Sequence, residues 1–391
     1  MVHKKRRSIS PDGDILWRFL RPNSRQVWQN PVVRDRFARY YDIMQNKRTA
    51  RFLVAKRIDI NIKSLEREET NELWEIHDTQ SKKFNSLLQK IDQGNQPLSE
   101  LERPRVSLLD LKSELANRIV QSCEFCEHRC AVNRPAGEKG RCRLAEDSYI
   151  SSIFLHHGEE SPLVPSGTIF FSSCNFRCVF CQNYSISQEW IKKGKVVDGT
   201  QVTPEQLAAS AQHLAREGAR NINWVGGSPT PNTHNILQAL RLMEQNISIL
   251  WNSNMYMTTK TTNLLLDLMD FWLPDLKYFE NPFAKKMSGI ENYWEVSTRN
   301  IKAAHDEGSG EMIIRHLVMP GRVEKDTRPI LEWCATNVSN ALVNIMGQYR
   351  PEYKVRHDSH YKEIRRRPST EEMKQAYRIA NQLGIVWEPV S

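Results

Sequence analysis

The chain has 391 residues, of which 39% are hydrophobic and 26% charged, with a formal charge of +9. That composition suits a soluble globular protein with room for a large catalytic domain and a smaller appendage. No apolar run approaches the roughly 18 residues that a bilayer span needs, and the basic start at 1–8 lacks the apolar stretch of a secretory signal, so a cytoplasmic protein with no membrane role is expected. The charge is compatible with nucleic acid or an acidic protein partner. Its positive residues are spread over the tails rather than set among aromatics, so a solvated surface is expected and nucleic acid is not.

In chain order, residues 26–57 and 64–91 carry apolar residues at helical spacing among many charges, and 108–120 reads as another amphipathic helix. Turns are expected at 95–99 and 103–105. No catalytic constellation falls in residues 1–120, which read as an N-terminal, mostly helical region wrapping the core; partner recognition is the alternative.

Seven of the eight cysteines lie between 123 and 181. Such clustering in a reducing compartment points to metal rather than disulfides. Cys123, Cys126, Cys130 and Cys142 span two turns and can close a tetrahedral metal site or hold an auxiliary iron–sulfur cluster. Residues 121–165 are therefore expected to be a four-cysteine metal-binding module and linker, open between zinc and iron–sulfur. The linker run His156-His-Gly-Glu-Glu160 reads as a hydrogen-bonded connector, or as histidines at the mouth of a site. Cys334 reads as a buried helix residue.

Cys174, Cys178 and Cys181 form a C-x3-C-x2-C group directly after an apolar stretch. Most close thiolate sites supply four ligands; here three arrive together. A [4Fe-4S] cluster on three cysteines leaves one iron open, and the amino and carboxylate groups of S-adenosylmethionine can chelate it. Half of a zinc site, completed elsewhere, is the alternative.

From about 166 the pattern alternates between strands and helices. Strands are expected at 168–172, 221–225, 248–252, 271–275, 312–318 and 341–346, with helices opening at Thr203-Pro and covering 234–245, 261–269, 292–307 and 326–338. Six strand–helix units imply an α/β fold, a partial (β/α)6 barrel with its site at the carboxyl ends of the strands. The barrel is expected to fill 166–391, with a basic C-terminal extension whose last helix starts at Ser369 and ends at Gly384.

The loops after those strands carry the candidate chemistry. Gly226 and Gly227 leave backbone free to meet an amine, with Ser228 beside them. Asn252, Ser253 and Asn254 offer short polar groups suited to ribose hydroxyls, or cap the strand end. Asp275 and Lys277 share one side of a strand and can grip a zwitterion, hold a cation, or form an ordinary ion pair. Arg315 can fork onto a carboxylate or pair with an acid such as Asp275. Gln348 and Tyr349 are expected at the barrel mouth.

These motifs, in this order, resemble the radical SAM superfamily and its pyruvate formate-lyase activating-enzyme-like branch. The runs are Ser166-Gly-Thr-Ile-Phe-Phe-Ser-Ser-Cys-Asn-Phe-Arg-Cys-Val-Phe-Cys-Gln-Asn-Tyr184, Gly226-Gly-Ser-Pro-Thr-Pro231, Trp251-Asn-Ser-Asn-Met-Tyr256, Pro274-Asp-Leu-Lys277, Ile314-Arg-His-Leu-Val-Met-Pro-Gly321 and Asn344-Ile-Met-Gly-Gln-Tyr349. The resemblance implies a partial barrel, a [4Fe-4S] cluster, S-adenosylmethionine, an electron donor such as flavodoxin or ferredoxin, and oxidoreductase chemistry by hydrogen abstraction. It places Phe180 near the adenine, the glycine pair at the methionine amine, and Asp275, Lys277 and Arg315 on S-adenosylmethionine. Ser228 stands where the family commonly has an acid. Asn252 stands where an activase offers a carboxylate to a monovalent cation. The target is expected to be a glycyl-radical enzyme, or else another protein, peptide or metabolite. An RNA-binding protein with zinc knuckles and no catalysis is the alternative from another class.

Overall fold

The computed structural model describes residues 21–391; the basic stretch at 1–8 lies outside them. A strand missing from the expected set precedes the barrel: β1 (Ser148–His156) runs antiparallel to β2 (Ser166–Phe171). Its register slips between Ile150 and Ser152 and its second half is exposed, which erases the alternation that betrays a strand. A small hairpin, β3 (Ile191–Lys192) and β4 (Lys195–Val196), is followed by β5 (Thr200–Val202), which pairs with the start of β1.

The remaining strands are β6 (Asn221–Gly226), β7 (Ser248–Ser253), β8 (Phe271–Pro274), β9 (Ile313–Leu317) and β10 (Leu342–Met346). β2, β6, β7 and β8 pair in parallel, and so do β9 and β10. Parallel bridges at Trp272–Met312 and Asp275–Arg315 join the two groups. The six expected barrel strands are therefore present in sequence order, each starting within two residues of its expected start. Among the described residues no pairing returns from β10 to β2, so the barrel is partial. Helices cover the outside, as parallel strands buried on both faces require. Capping boxes at Thr203/Gln206 and Ser369/Glu372 fix two of their starts. The helix Asn281–Ser288, ended by Gly289 at φ 66°, was not expected. No helix of the described residues is long and apolar enough to cross a membrane.

The long N-terminal stretch expected at 26–57 breaks into Pro31–Arg36, Ala38–Met44 and Arg51–Ala55. The breaks let it bend under the barrel. Phe37 and Tyr40 meet Phe271 at ring distances of 4.9 and 5.1 Å, and share a buried cluster with Leu163, Leu250, Ile313 and Leu342. Buried charge pins this floor. Arg39 pairs with Asp270 at 2.9 Å, and the Glu311 carboxylate accepts from the Arg39 and Tyr40 amides at 2.7 and 2.8 Å. Asp270 also accepts from the amides of Arg51 and Ile249. Residues 21–120 thus form part of one packed body with the barrel.

Asp270→Ala strips a buried acid from Arg39 and two amides. The expected loss is about 3 kcal/mol or more of unfolding free energy in urea titrations, the usual cost of orphaning one side of a buried pair.

Candidate active site

The carboxyl ends of the six strands enclose a cavity of about 260 Å³. Its walls include Cys174, Cys178 and Cys181, Phe180, Gly226 and Gly227, the run Asn252–Asn254, Asp275, Lys277, Arg315 and Gln348. A larger groove, about 730 Å³, lies beside the helices Thr70–Asp92 and Leu108–Gln121 and holds none of these thiols. Ser228 does not line the cavity: it is buried and its hydroxyl accepts from the Thr230 amide at 3.3 Å. Tyr349 is also withdrawn, buried against Phe180 with its hydroxyl on the Ile364 carbonyl at 2.8 Å.

The triad loop is held from several sides. Ser173, at φ 80°, donates its hydroxyl to the Cys142 carbonyl at 2.5 Å and its amide to Ile186 at 2.7 Å. The unexpected helix Asn281–Ser288 takes the amides of Arg177 and Val179 on the carbonyls of Ser288 and Met287. The Ser288 hydroxyl reaches the Cys178 sulfur at 3.0 Å. Burial pushes the Cys174 and Cys178 thiols up to about 12 and 11, and Cys181 upward as well. A metal taken up here must therefore displace protons.

The glycine pair turns out to serve the chain as much as a ligand. A Cβ on Gly227 would lie 1.8 Å from the Ser173 carbonyl oxygen, and one on Gly226 would strike the Phe171 backbone at 2.3 Å. The Gly227 amide donates to the Phe171 carbonyl at 2.8 Å. Only glycine lets the β6 loop lie this close to the triad loop.

The polar run after β7 divides its work. Asn254 is fully engaged, donating to Asn175 at 2.9 Å and accepting from the Tyr256 amide at 3.1 Å. Ser253 caps Met255. Asn252 alone keeps a buried amide nitrogen without a partner, as a wall awaiting a polar ligand would. Lys277 donates to Asp275 at 2.6 Å, and that carboxylate outweighs burial to hold the lysine charged.

Arg315 is where the expectation changes most. Its partner is not the Asp275 side chain. It forks onto Glu160 with two bonds of 2.7 Å and reaches Glu159 as well. Both acids come from the linker run and are almost fully buried. Asn344 supports Glu160 at 2.8 Å, Asn223 supports Glu159 at 3.1 Å, and His156 meets Glu159 at 3.0 Å. The linker thus reaches into the barrel, and its acids, not its histidines, are what the sequence reading missed. An adjacent acidic pair between a strand and a proline-containing turn was the available signal.

Beside Cys123 lies a buried cation. Arg134 is fully buried, donates to the Pro231 carbonyl at 2.7 Å, stands 3.8 Å from the Cys123 sulfur and leaves one nitrogen unpartnered. The Cys130 sulfur accepts from the Arg141 amide at 3.3 Å. His128 is turned to the Asn175 carbonyl at 2.9 Å. Among the described residues no three Cys, His, Asp or Glu side chains are arranged to hold one metal ion. The triad need not meet that condition, because three cysteines of a four-iron cube bind three separate irons.

A partial barrel with three thiols at its mouth, beside a glycine pair and an Asp–Lys pair, is the site of a cysteine-ligated cofactor enzyme. Residues 168–334 match the radical SAM superfamily, and the chain belongs to it. It is 42% identical over 351 residues to an uncharacterized protein of Methanocaldococcus jannaschii, spanning 90% of this chain and 98% of that one. Among solved structures it is similar to a domain of a pyruvate-formate lyase-activating enzyme from Bacteroides vulgatus, at 18% identity, 43% of this chain, 96% of that one and TM-score 0.35. It is also similar to Streptococcus suis SuiB bound to precursor peptide SuiA, at 13% identity, 55% of this chain, 45% of that one and TM-score 0.39. Superfamily membership implies a [4Fe-4S] cluster and S-adenosylmethionine, and the three cavity thiols and the unpartnered Asn252 nitrogen fit that pair.

Burial would push the Glu159 carboxyl up, but Arg315 and His156 outweigh it and hold it down at about 2, from 4.5. A depressed carboxyl stabilises the fold above its unfolded pKa and loses that effect as pH falls toward the folded value. The stability gap between native protein and Glu159→Gln is therefore expected to be full above pH 4.5 and to shrink between 4.5 and 2. Urea midpoints across that range measure it; a gap independent of pH contradicts the ion pair.

Proposed function

We propose that this chain binds S-adenosylmethionine at the barrel mouth, cleaves it reductively, and takes a hydrogen atom from a protein target. A [4Fe-4S] cluster with one open iron, when bound, supplies the electron that breaks the carbon–sulfur bond and yields the 5′-deoxyadenosyl radical. Cys174, Cys178 and Cys181 would hold it. The observation that carries the reading is the shared cavity: the three thiols, the glycine pair, Asn252 and the Asp275–Lys277 pair face one space at the strand ends. Lys277 is placed to meet a carboxylate, Asp275 an ammonium, and the Asn252 amide a hydroxyl or carboxylate oxygen. Phe180, 5% exposed between Tyr278 and Tyr349, offers an apolar wall to a planar base. Together these groups would fix the ligand so that the reactive carbon faces the target, an orientation effect. A glycyl-radical enzyme is the first target to test, on the order of motifs. The four-cysteine module would take a second metal, zinc or iron–sulfur, beside Arg134.

Anaerobically reconstituted Cys178→Ala protein is expected to lose the triad's share of the iron, sulfide and visible absorption and to form no 5′-deoxyadenosine above background under dithionite. Normal turnover in that variant, or zinc alone at both cysteine groups of the native protein, overturns the reading. A glycine-centred radical on a candidate glycyl-radical protein, detected by electron paramagnetic resonance, tests the target. Cys126→Ser is expected to remove the second metal while leaving the triad iron in place, read by metal and sulfide analysis.

A further inference from the structure

The inner face of the sheet continues past the cavity. Phe170 of β2 stands opposite Val225 of β6, a cavity residue, so both side chains leave the sheet on the same face. On β1, Ser152 stands opposite Phe170 and Phe154 opposite Thr168. The period of two then puts Phe154 and His156 on that face too. The three rings form one cluster. Phe154 stacks on Phe170 with centroids 5.5 Å apart and planes 7° apart, and His156 meets the two edge-on at 5.4 and 6.2 Å. Phe154 is 40% exposed. An aromatic shelf, open to solvent, therefore runs from the cavity wall out to β1.

Two further features define what fits there. β5 pairs with β1 only at Ser148–Ile150, so among the described residues the far edge of 151–156 has no strand beside it. Ile153, on the other face, is 39% exposed as well. A free edge that is apolar on both faces is a template for an added strand. At the end of the shelf, His156 donates its Nδ1 hydrogen to the Glu159 carboxylate at 3.0 Å, which leaves Nε2 an acceptor in the neutral ring. Nε2 has no hydrogen-bond partner among the described residues. Gly158 keeps it uncovered, since a Cβ there would lie 2.9 Å from Nε2.

We infer that this shelf holds an extended segment of the protein target, paired along the free edge of β1, with a tyrosine ring on Phe154 and Phe170 and its hydroxyl donating to His156 Nε2. The inference rests on the proposed reading for its protein target and names how that target is held. Aromatic rings favour such stacked and edge-on neighbours, and a phenol adds the one donor that Nε2 lacks. A nucleic acid is disfavoured: residues 148–171 carry no lysine or arginine to meet its phosphates. A second copy of this chain is disfavoured by size. A free edge of this length spans about 20 Å, a short footing for the roughly 1,200 Å² or more that a stable interface buries.

The probe is a fluorescein-labelled short peptide of valine and threonine with tyrosine at its centre. Fluorescence anisotropy and amide hydrogen exchange are read on the reconstituted full chain. The peptide is expected to bind and to slow exchange in 151–156 roughly tenfold. Alanine at its centre, or methylation of its backbone nitrogens, is expected to weaken binding roughly tenfold or more. Phe154→Ala is expected to show the same loss, with exchange elsewhere unchanged as the check on folding. His156→Phe is expected to bind the phenylalanine version of the peptide but to lose the preference for tyrosine. No binding by the native protein, or equal binding of the tyrosine and alanine peptides, overturns the inference. So does a tyrosine preference that survives both substitutions. A native dimer split by Ile153→Lys, seen in sedimentation, gives the edge to a second copy and overturns it. Binding that appears only in Trp17→Ala/Phe19→Ala gives the shelf to the chain's own start and overturns it too. 5′-Deoxyadenosine formed under dithionite is measured on the same sample. Its absence beside normal peptide binding removes the radical chemistry alone, and its presence without peptide binding removes the shelf alone.

Discussion

The structure depends on a cation buried inside an unfinished barrel. Arg315 projects from β9 into the interior, where an unpaired guanidinium would be too costly to desolvate. A closed barrel could fill that space with apolar layers. Among the described residues β10 pairs with no strand of the β5–β1–β2 edge, and the linker 157–165, between β1 and β2, brings Glu159 and Glu160 to Arg315. Three asparagines and a histidine complete the hydrogen bonds that such a buried triad needs to offset its desolvation. The linker is therefore less a connection than a substitute wall. Its leucine, Leu163, continues the apolar floor that Phe37 and Tyr40 close from below.

That arrangement changes what Arg315 can offer a ligand. With its fork taken by Glu160, it contributes one remaining nitrogen, 3.4 Å from the Asn252 oxygen. The same contact holds the Asn252 oxygen, and its buried amide nitrogen is left without a partner. The acids fix the guanidinium, and the guanidinium in turn holds the Asn252 side chain. Lys277 lines the same cavity, with its own partner Asp275 in the same wall.

Much of this was legible in the sequence, and the misses have physical reasons. The six parallel strands are short apolar runs buried on both faces, so each reads clearly and each starts within two residues of its expected place. The cavity thiols were legible because spacing alone puts them on one loop; Asp275 and Lys277 do meet, but beyond the end of β8 rather than on its face. β1 was hidden by a bulge and an exposed half. The helix Asn281–Ser288 was hidden because it is short and carries Pro282 and two lysines. The Glu159–Glu160 contacts join residues more than 150 positions from Arg315, and no local pattern encodes such a pairing. Gly226 and Gly227 were read as making room for a ligand. They line the cavity and also make room for the Phe171–Ser173 backbone, a tertiary requirement invisible along the chain.

The segment carrying the upstream cysteines and the triad loop are one mechanical unit. The Cys142 carbonyl holds the Ser173 hydroxyl, and Ser173 is bonded to Cys174. His128 holds the carbonyl of Asn175, the residue on the other side of Cys174. The module thus grips both neighbours of the deepest triad thiol, while the helix Asn281–Ser288 grips the loop near Cys178. A loop that must present three sulfurs to a rigid cube cannot be left to its own backbone, which at Ser173 is already in the left-handed region. Holding it from two independent elements spreads that strain into packed structure. It also explains why the module lies directly before the barrel: its folded state is what keeps Cys174 at the depth the cavity requires.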